Sequence, residues 1–170
     1  MPAIRTVSEL SSTELSQLAD LLVDTVADGA SIGFLPPLPW AKSVAYWQKV
    51  VNPHTVLLLA EIDRRIAGTV QLSLETRANG THRAEVSKLM VAPPFRRRGV
   101  GRALMDALEI EARQHDRTLL FLDTRAGDPS NDLYLSAGYT EAGRIPQFAR
   151  SATGELDDTV LYYKLLGSPS

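Results

Sequence analysis

The chain contains no cysteine. That excludes disulfides, thiolate-bound metals and any acyl-cysteine intermediate. Its three histidines, His54, His82 and His115, are too scattered for metal-ligand spacing, so no metal is expected. No apolar run is long enough to span a bilayer, and Met1 to Ser8 lacks the apolar core of a signal peptide. A cytoplasmic protein with no membrane partner is therefore expected. There is no excess charge of one sign: 18 Lys and Arg against 20 Asp and Glu leave a net charge of -2, which argues against a nucleic-acid binder. Repeats, linkers and low-complexity runs are also absent. The 170 residues thus read as one domain, 1–170, large enough to bury a substantial core.

What is present is a mixture of helical and strand periodicities. Ala3 to Val7 reads as a short strand. Ser11-Ser12-Thr13-Glu14 is a capping box, and Leu15, Leu18, Leu22 and Val26 then recur at helical spacing. A loop, Gly29 to Phe34, leads through Pro36, Pro37 and Pro39 to a helix expected over Trp40 to Val50, ending before Asn52-Pro53. Strands follow at Val56 to Ile62 and Ile66 to Leu74, joined by the turn Asp63-Arg64. In the second of these, Thr69, Gln71 and Ser73 share a polar face, which a wet pocket or a solvent edge would explain. A strand over Ala84 to Val91 is expected to place Glu85, Ser87, Leu89 and Val91 on one face. Then come a helix from Gly99 to about His115, a buried strand Thr118 to Asp123, a short helix Asp128 to Ser136, and two strands turning at Thr153-Gly154, the last from about Thr159 to Leu165. The order β-α-α-β-β-β-α-β-α-β-β predicts a mixed α/β fold.

The most informative stretch is 84–109. An apolar strand stops at Pro93-Pro94, three arginines and two glycines follow, and a helix opens. Free N–H groups of a first helical turn, with the helix dipole behind them, make an anion cradle. A P-loop would need Lys-Ser/Thr after its last glycine, where Arg102-Ala103 stand; a dinucleotide-binding loop would need a third glycine, where Leu104 stands. Amides from about Arg97 to Arg102 would donate to phosphates. Gly99 and Gly101 would allow close backbone approach, and Arg96, Arg97 and Arg98 would add charge.

The run Val91-Ala92-Pro93-Pro94-Phe95-Arg96-Arg97-Arg98-Gly99-Val100-Gly101 resembles the coenzyme A motif of the GNAT acetyltransferases. Leu133-Tyr134 with Ala137-Gly138-Tyr139 resembles their second motif. The likeness spans nearly the whole chain and implies a central, mostly antiparallel mixed sheet with helices on both faces. It also implies acetyl-CoA as donor, held by Leu89, Met90, Val91, Arg96, Arg97, Arg98, Gly99, Val100, Gly101, Arg102, Ser130 and Tyr134. Gly29-Ala30-Ser31-Ile32-Gly33-Phe34, Gln71 to Leu74, Arg83 to Val91 and Leu122 to Gly127 further resemble the tabtoxin-resistance acetyltransferases, which act on a β-lactam amino-acid toxin. One position departs from the pattern. Gly127 stands where many members carry an Asn that touches the pantetheine arm, leaving that contact to Ser130 or Asn131, or to neither.

Acetyl transfer to an amine needs a neutral nucleophile, and deprotonating an amine of pKa ~10.4 at pH 7 costs about 4.6 kcal/mol. It also needs donors at the carbonyl oxygen, for which strand amides near Met90 or Val91 are placed, and an acid for the departing thiolate. The resemblance implies Tyr134 as that acid. Asp123, at the end of a buried strand, and Glu85 are the candidate bases. A salt bridge from Glu85 to Arg83 or Lys88 is the structural alternative. Phe34, Gln71, Ser73, Glu85 and Asp123 are the candidate substrate-binding residues, with Trp40 and Trp47 as further possible walls. The expected activity is direct transfer from acetyl-CoA to a small amine, an amino-acid-like toxin or antibiotic among the options, by a monomer or homodimer. A peptide or protein acetyltransferase and a non-catalytic acetyl-CoA sensor are the alternatives.

Overall fold

Helix α1, Ser12–Ala27, begins at the capping box: the Glu14 amide donates to the Ser11 hydroxyl and the Ser11 amide donates to the Glu14 carboxylate. Helix α2, Trp40–Val50, lies against it, and the buried Ser43 hydroxyl donates to the Ala19 carbonyl at 2.9 Å. The computed structural model describes residues 1–167. Among these residues no helix is long and apolar enough to cross a membrane.

Seven strands form one sheet: β1 (Ala3–Val7), β2 (Thr55–Ile62), β3 (Arg65–Leu74), β4 (Arg83–Val91), β5 (Leu119–Arg125), β6 (Thr140–Arg150) and β7 (Leu156–Leu165). Their spatial order is β1-β2-β3-β4-β5-β7-β6, antiparallel throughout except for the parallel pair β4–β5. This is the mixed, mostly antiparallel sheet expected. Leu18, Leu22 and Trp47 of α1 and α2 pack one face on Leu57, Leu59 and Met90. Helix α3 (Val100–Gln114) covers the other face, with Leu104 and Leu108 against Leu58, Val70, Leu72 and Val86. Burial on both faces is why β2 is apolar along its length rather than alternating.

Two irregularities position the site. The parallel ladder between β4 and β5 ends at Glu85–Phe121, although both strands continue, so they part beyond that point. Strand β4 also carries a β-bulge. Lys88 has φ 55, and the pairing with β3 slips between Gln71–Ser87 and Thr69–Met90. The expectation that Glu85, Ser87, Leu89 and Val91 share one face is therefore wrong. The extra residue inverts the phase: Ala84, Val86, Leu89 and Val91 pack toward α3, while Met90 packs toward α1 and α2. Helix α4, Ser130–Ser136, starts two residues later than expected because Asp128 belongs to the preceding turn.

Candidate functional site

Where β4 and β5 part there is a cavity of about 340 Å³. Glu85 to Leu89 line one side and Asp123 to Arg125 the other. The loop Ala30 to Gly33, α4 through Ser130 and Tyr134, and the β6–β7 pair through Phe148 and Thr159 complete it. Glu85 is half-buried and takes part in no hydrogen bond or ion pair among the described residues. Arg83 pairs with Glu75 instead, at 3.1 Å. Burial and then the negative charge of Asp123 hold the Glu85 carboxyl above the ordinary carboxylate range, against an opposing pull from Lys88. Asp123 is exposed to the cavity and accepts the Thr159 hydroxyl at 2.9 Å.

Tyr134 faces these acids. Its ring is buried among Tyr139 and Tyr162, with centroids 6.0 and 5.9 Å away, and its hydroxyl has no hydrogen bond to a described residue. Burial, followed by the charges of Asp123 and Asp128, pushes the phenol well above its usual range, so it stays protonated.

Adjoining the cavity, the turn after β4 is built as an anion cradle. A 3₁₀ turn, Pro93–Phe95, leads to Arg97 at φ 58 and Gly99 at φ 78, the residue before α3. Left-handed backbone at these positions turns successive amides outward, and the first-turn amides of α3 have no intrahelical acceptor. A Cβ at Gly99 would meet open space, so the way to those amides is clear. At Gly101 a Cβ would stand 3.3 Å from Leu133, so this glycine also lets α3 pack close to α4. The arginines also divide. Arg96 donates to the Val91 carbonyl and pairs with Asp28, Arg98 lies over the Phe95 ring at 5.6 Å, and Arg102 holds Asp106 and the Ser136 carbonyl. The amides, more than these side chains, are free to receive an anion.

The acetyltransferase (GNAT) family model matches residues 20–139. The chain belongs to that family. This acetyltransferase is 33% identical over 125 residues to an uncharacterised N-acetyltransferase of Azospirillum brasilense, covering 72% of this chain and 74% of the other. It is 33% identical over 106 residues to an aminoglycoside N(6')-acetyltransferase type 1 of Klebsiella aerogenes, covering 60% and 70%. An acetyltransferase structure from Salmonella typhimurium with acetyl-CoA superposes with a TM-score of 0.83 at 18% identity, over 100% of this chain and 96% of that one. Family membership makes acetyl-CoA the donor, and the cradle suits its pyrophosphate in charge and in access.

Of the candidate acceptor residues, Glu85 and Asp123 come together with Tyr134 at the cavity. Gln71 does not face a wet pocket. It is buried and exchanges hydrogen bonds with the Tyr46 hydroxyl, at 2.9 and 3.2 Å. Ser73 pairs across the ladder with Glu85 and lies outside the cavity lining. Phe34 packs edge-on against Tyr46 at 5.3 Å, one layer behind the cavity. Trp47 is core, and the half-exposed Trp40 donates to Asp20. Of the two candidates for the contact missing at Gly127, Asn131 is fully engaged: it donates to the Arg125 and Asp128 carbonyls and accepts from Tyr162. Ser130 shares a hydrogen bond with Thr124 and lines the cavity.

Sequence reasoning did not select Lys88 or Arg125, which also line the cavity. Arg125 is the last residue of β5, two residues beyond the strand end expected from the sequence. A signal for Lys88 did exist. The presumed single face Glu85, Ser87, Leu89, Val91 changes from polar to apolar halfway along, as a one-residue insertion would make it.

Proposed function

We propose that this acetyltransferase transfers the acetyl group directly to the primary amine of a small molecule bound between the parted ends of β4 and β5. The observation that carries the reading is the cavity itself. Its volume of about 340 Å³ is of small-molecule size, and the loop Ala30 to Gly33 and Phe148 contribute to its walls. A peptide would need a more open groove. Glu85 is the base. Its raised pKa brings it closer to neutral pH, and no protein donor competes for its oxygens. It takes the proton from the substrate ammonium, and the freed nitrogen then attacks the thioester carbonyl. Asp123, already oriented by Thr159, holds the ammonium in place. Tyr134 gives its proton to the sulfur as the carbon–sulfur bond breaks, and the second proton that the nitrogen loses as the amide forms returns to the Tyr134 phenolate.

The edge of β4 that faces β5 is unpaired beyond Glu85, so Leu89 and the Val91 amide offer backbone groups to the pantetheine arm and to the carbonyl oxygen, while Met90 is turned to β3. The amides from Arg97 to Arg102 hold the pyrophosphate, and Ser130 stands beside the arm. An amino-acid-like toxin of the tabtoxinine type and an aminoglycoside are the two finer candidates, supported respectively by the sequence likeness over 29–34 and 83–91 and by the Klebsiella relative. Thiol release from acetyl-CoA, screened over amino acids, β-lactam amino acids, polyamines, aminoglycosides and short peptides, tests the reading. Turnover confined to peptides would overturn it.

A further inference from the structure

Lys88 is the one cavity-lining cation without an ion pair or a hydrogen bond among the described residues. The residue sits at the bulge with φ 55, in the left-handed region that a non-glycine residue seldom adopts in a strand. Its ammonium lies under the loop 30–33: a Cβ built on Gly33 would be 3.4 Å from Nζ, and the Phe34 ring centroid is 6.0 Å away. Among the described residues Lys88 makes neither a hydrogen bond nor an ion pair. Burial draws its pKa down, against the pull of Glu85 and Asp123. Those acids are thus near enough to act on the ammonium through space but do not contact it.

The other cation of the lining is not in this position. Arg125 pairs with Asp128 at 2.9 Å and with Asp157 at 3.7 Å, and it donates to the Gly29 carbonyl. What remains is one unpaired ammonium among three lining carboxylates that have no cationic contact: Glu85, on the same strand, Asp123 on β5 and Asp158 on β7. A half-buried ammonium without a counter-ion is unfavourable unless an anion arrives to pair with it.

We propose that Lys88 binds a carboxylate of the acceptor, so that the enzyme selects amino-acid-like zwitterions whose amine lies toward Glu85 and Asp123. This rests on the small-amine reading above and narrows it. A polycationic acceptor would set a positive charge against Lys88, whereas a zwitterion offers an anion to the ammonium and an amine to the carboxylates.

The test compares wild type, Lys88→Gln and Lys88→Arg on matched amines: the standard L-amino acids, their carboxamides, polyamines and aminoglycosides. Turnover is followed by thiol release, and binding of the same amines in the presence of coenzyme A by calorimetry. For at least one amino acid, kcat/KM of the free acid should exceed that of its carboxamide by about tenfold, the ratio corresponding to about 1.4 kcal/mol. Lys88→Gln should abolish that preference by raising KM for the acid while leaving the carboxamide nearly unchanged. Lys88→Arg should keep part of it, and coenzyme A affinity should be the same in all three proteins. Equal use of acid and carboxamide by wild type, an equal loss on both in Lys88→Gln, or turnover of polycations alone would overturn the proposal. If no amine releases thiol, the small-amine reading fails. The calorimetric comparison of acid with carboxamide still decides the role of Lys88.

Discussion

The proposed roles give Glu85 and Tyr134 opposite protonation demands, and burial beside Asp123 shifts both groups in the direction those roles need. The carboxyl is raised toward the range of a useful base, and the phenol is kept fully protonated. In kcat/KM against pH, the acidic limb should lie above the ordinary glutamate value of ~4.3 and should disappear in Glu85→Gln. The same shift sets a stability effect of known sign. A carboxyl whose folded pKa exceeds its unfolded pKa favours the folded state only while protonated. That contribution is complete below the unfolded value and is lost as pH rises through the folded one. Glu85→Gln should therefore melt at or above the wild-type temperature at pH 7 while losing activity, a split visible by calorimetry alongside turnover. Tyr134→Phe should lower kcat by about 10²–10⁴-fold, the usual contribution of general acid catalysis, with little change in acetyl-CoA affinity measured by titration. A Phe variant with full kcat across pH would remove Tyr134 from the chemistry.

At the scale of elements, the β4 bulge and the first turn of α3 depend on close backbone approach. Gly68 of β3 faces the end of β4, where a Cβ would stand 2.7 Å from the Met90 carbonyl oxygen and 3.2 Å from Leu104 and Val100. A carbonyl in a paired strand cannot retreat as a flexible side chain can. Gly68→Ala should therefore cost about 1–3 kcal/mol, as overpacking does, and should raise KM for acetyl-CoA because the displaced strand is the one proposed to meet the pantetheine arm. Thermal unfolding and a donor titration check both parts. Elements were the most legible level of the sequence. Capping at Ser11 and Glu14, the span Trp40 to Val50 and the buried stripe Val100, Leu104, Leu108 all follow from local periodicity and local hydrogen bonding, and each is where expected. The facing of Gln71 was not legible, because a polar residue in a strand looks the same whether water or a Tyr46 hydroxyl satisfies it.

For the whole molecule, β7 ties the parted sheet back together. Lys164 donates to the buried Glu109 of α3 and to the Ala137 carbonyl after α4, both at 2.7 Å, and lies 5.6 Å from the Tyr139 ring centroid. One side chain thus joins strand, long helix and the helix that carries Tyr134. Lys164→Met would leave Glu109 buried and uncompensated. Fully buried pairs lose about 3–5 kcal/mol when broken, and the partial exposure of Lys164 argues for a smaller loss of about 2 kcal/mol. Adding Glu109→Leu should restore most of that stability, since removing both charges also removes the unpaired one. A double-mutant cycle by denaturant unfolding measures this coupling.

The sequence by itself determined the element order, the amphipathic faces of the helices and the glycine-rich turn that opens α3, because each depends on residues close together in the chain. It also carried the family, through the motifs over 91–101 and 133–139. Only the tertiary structure decided that β4 and β5 part after Glu85, that the bulge at Lys88 inverts the face of β4, and that Glu85, Asp123 and Tyr134 meet at one cavity. Those features arise from pairing and packing between segments tens of residues apart, where register and burial, rather than local propensity, set the outcome.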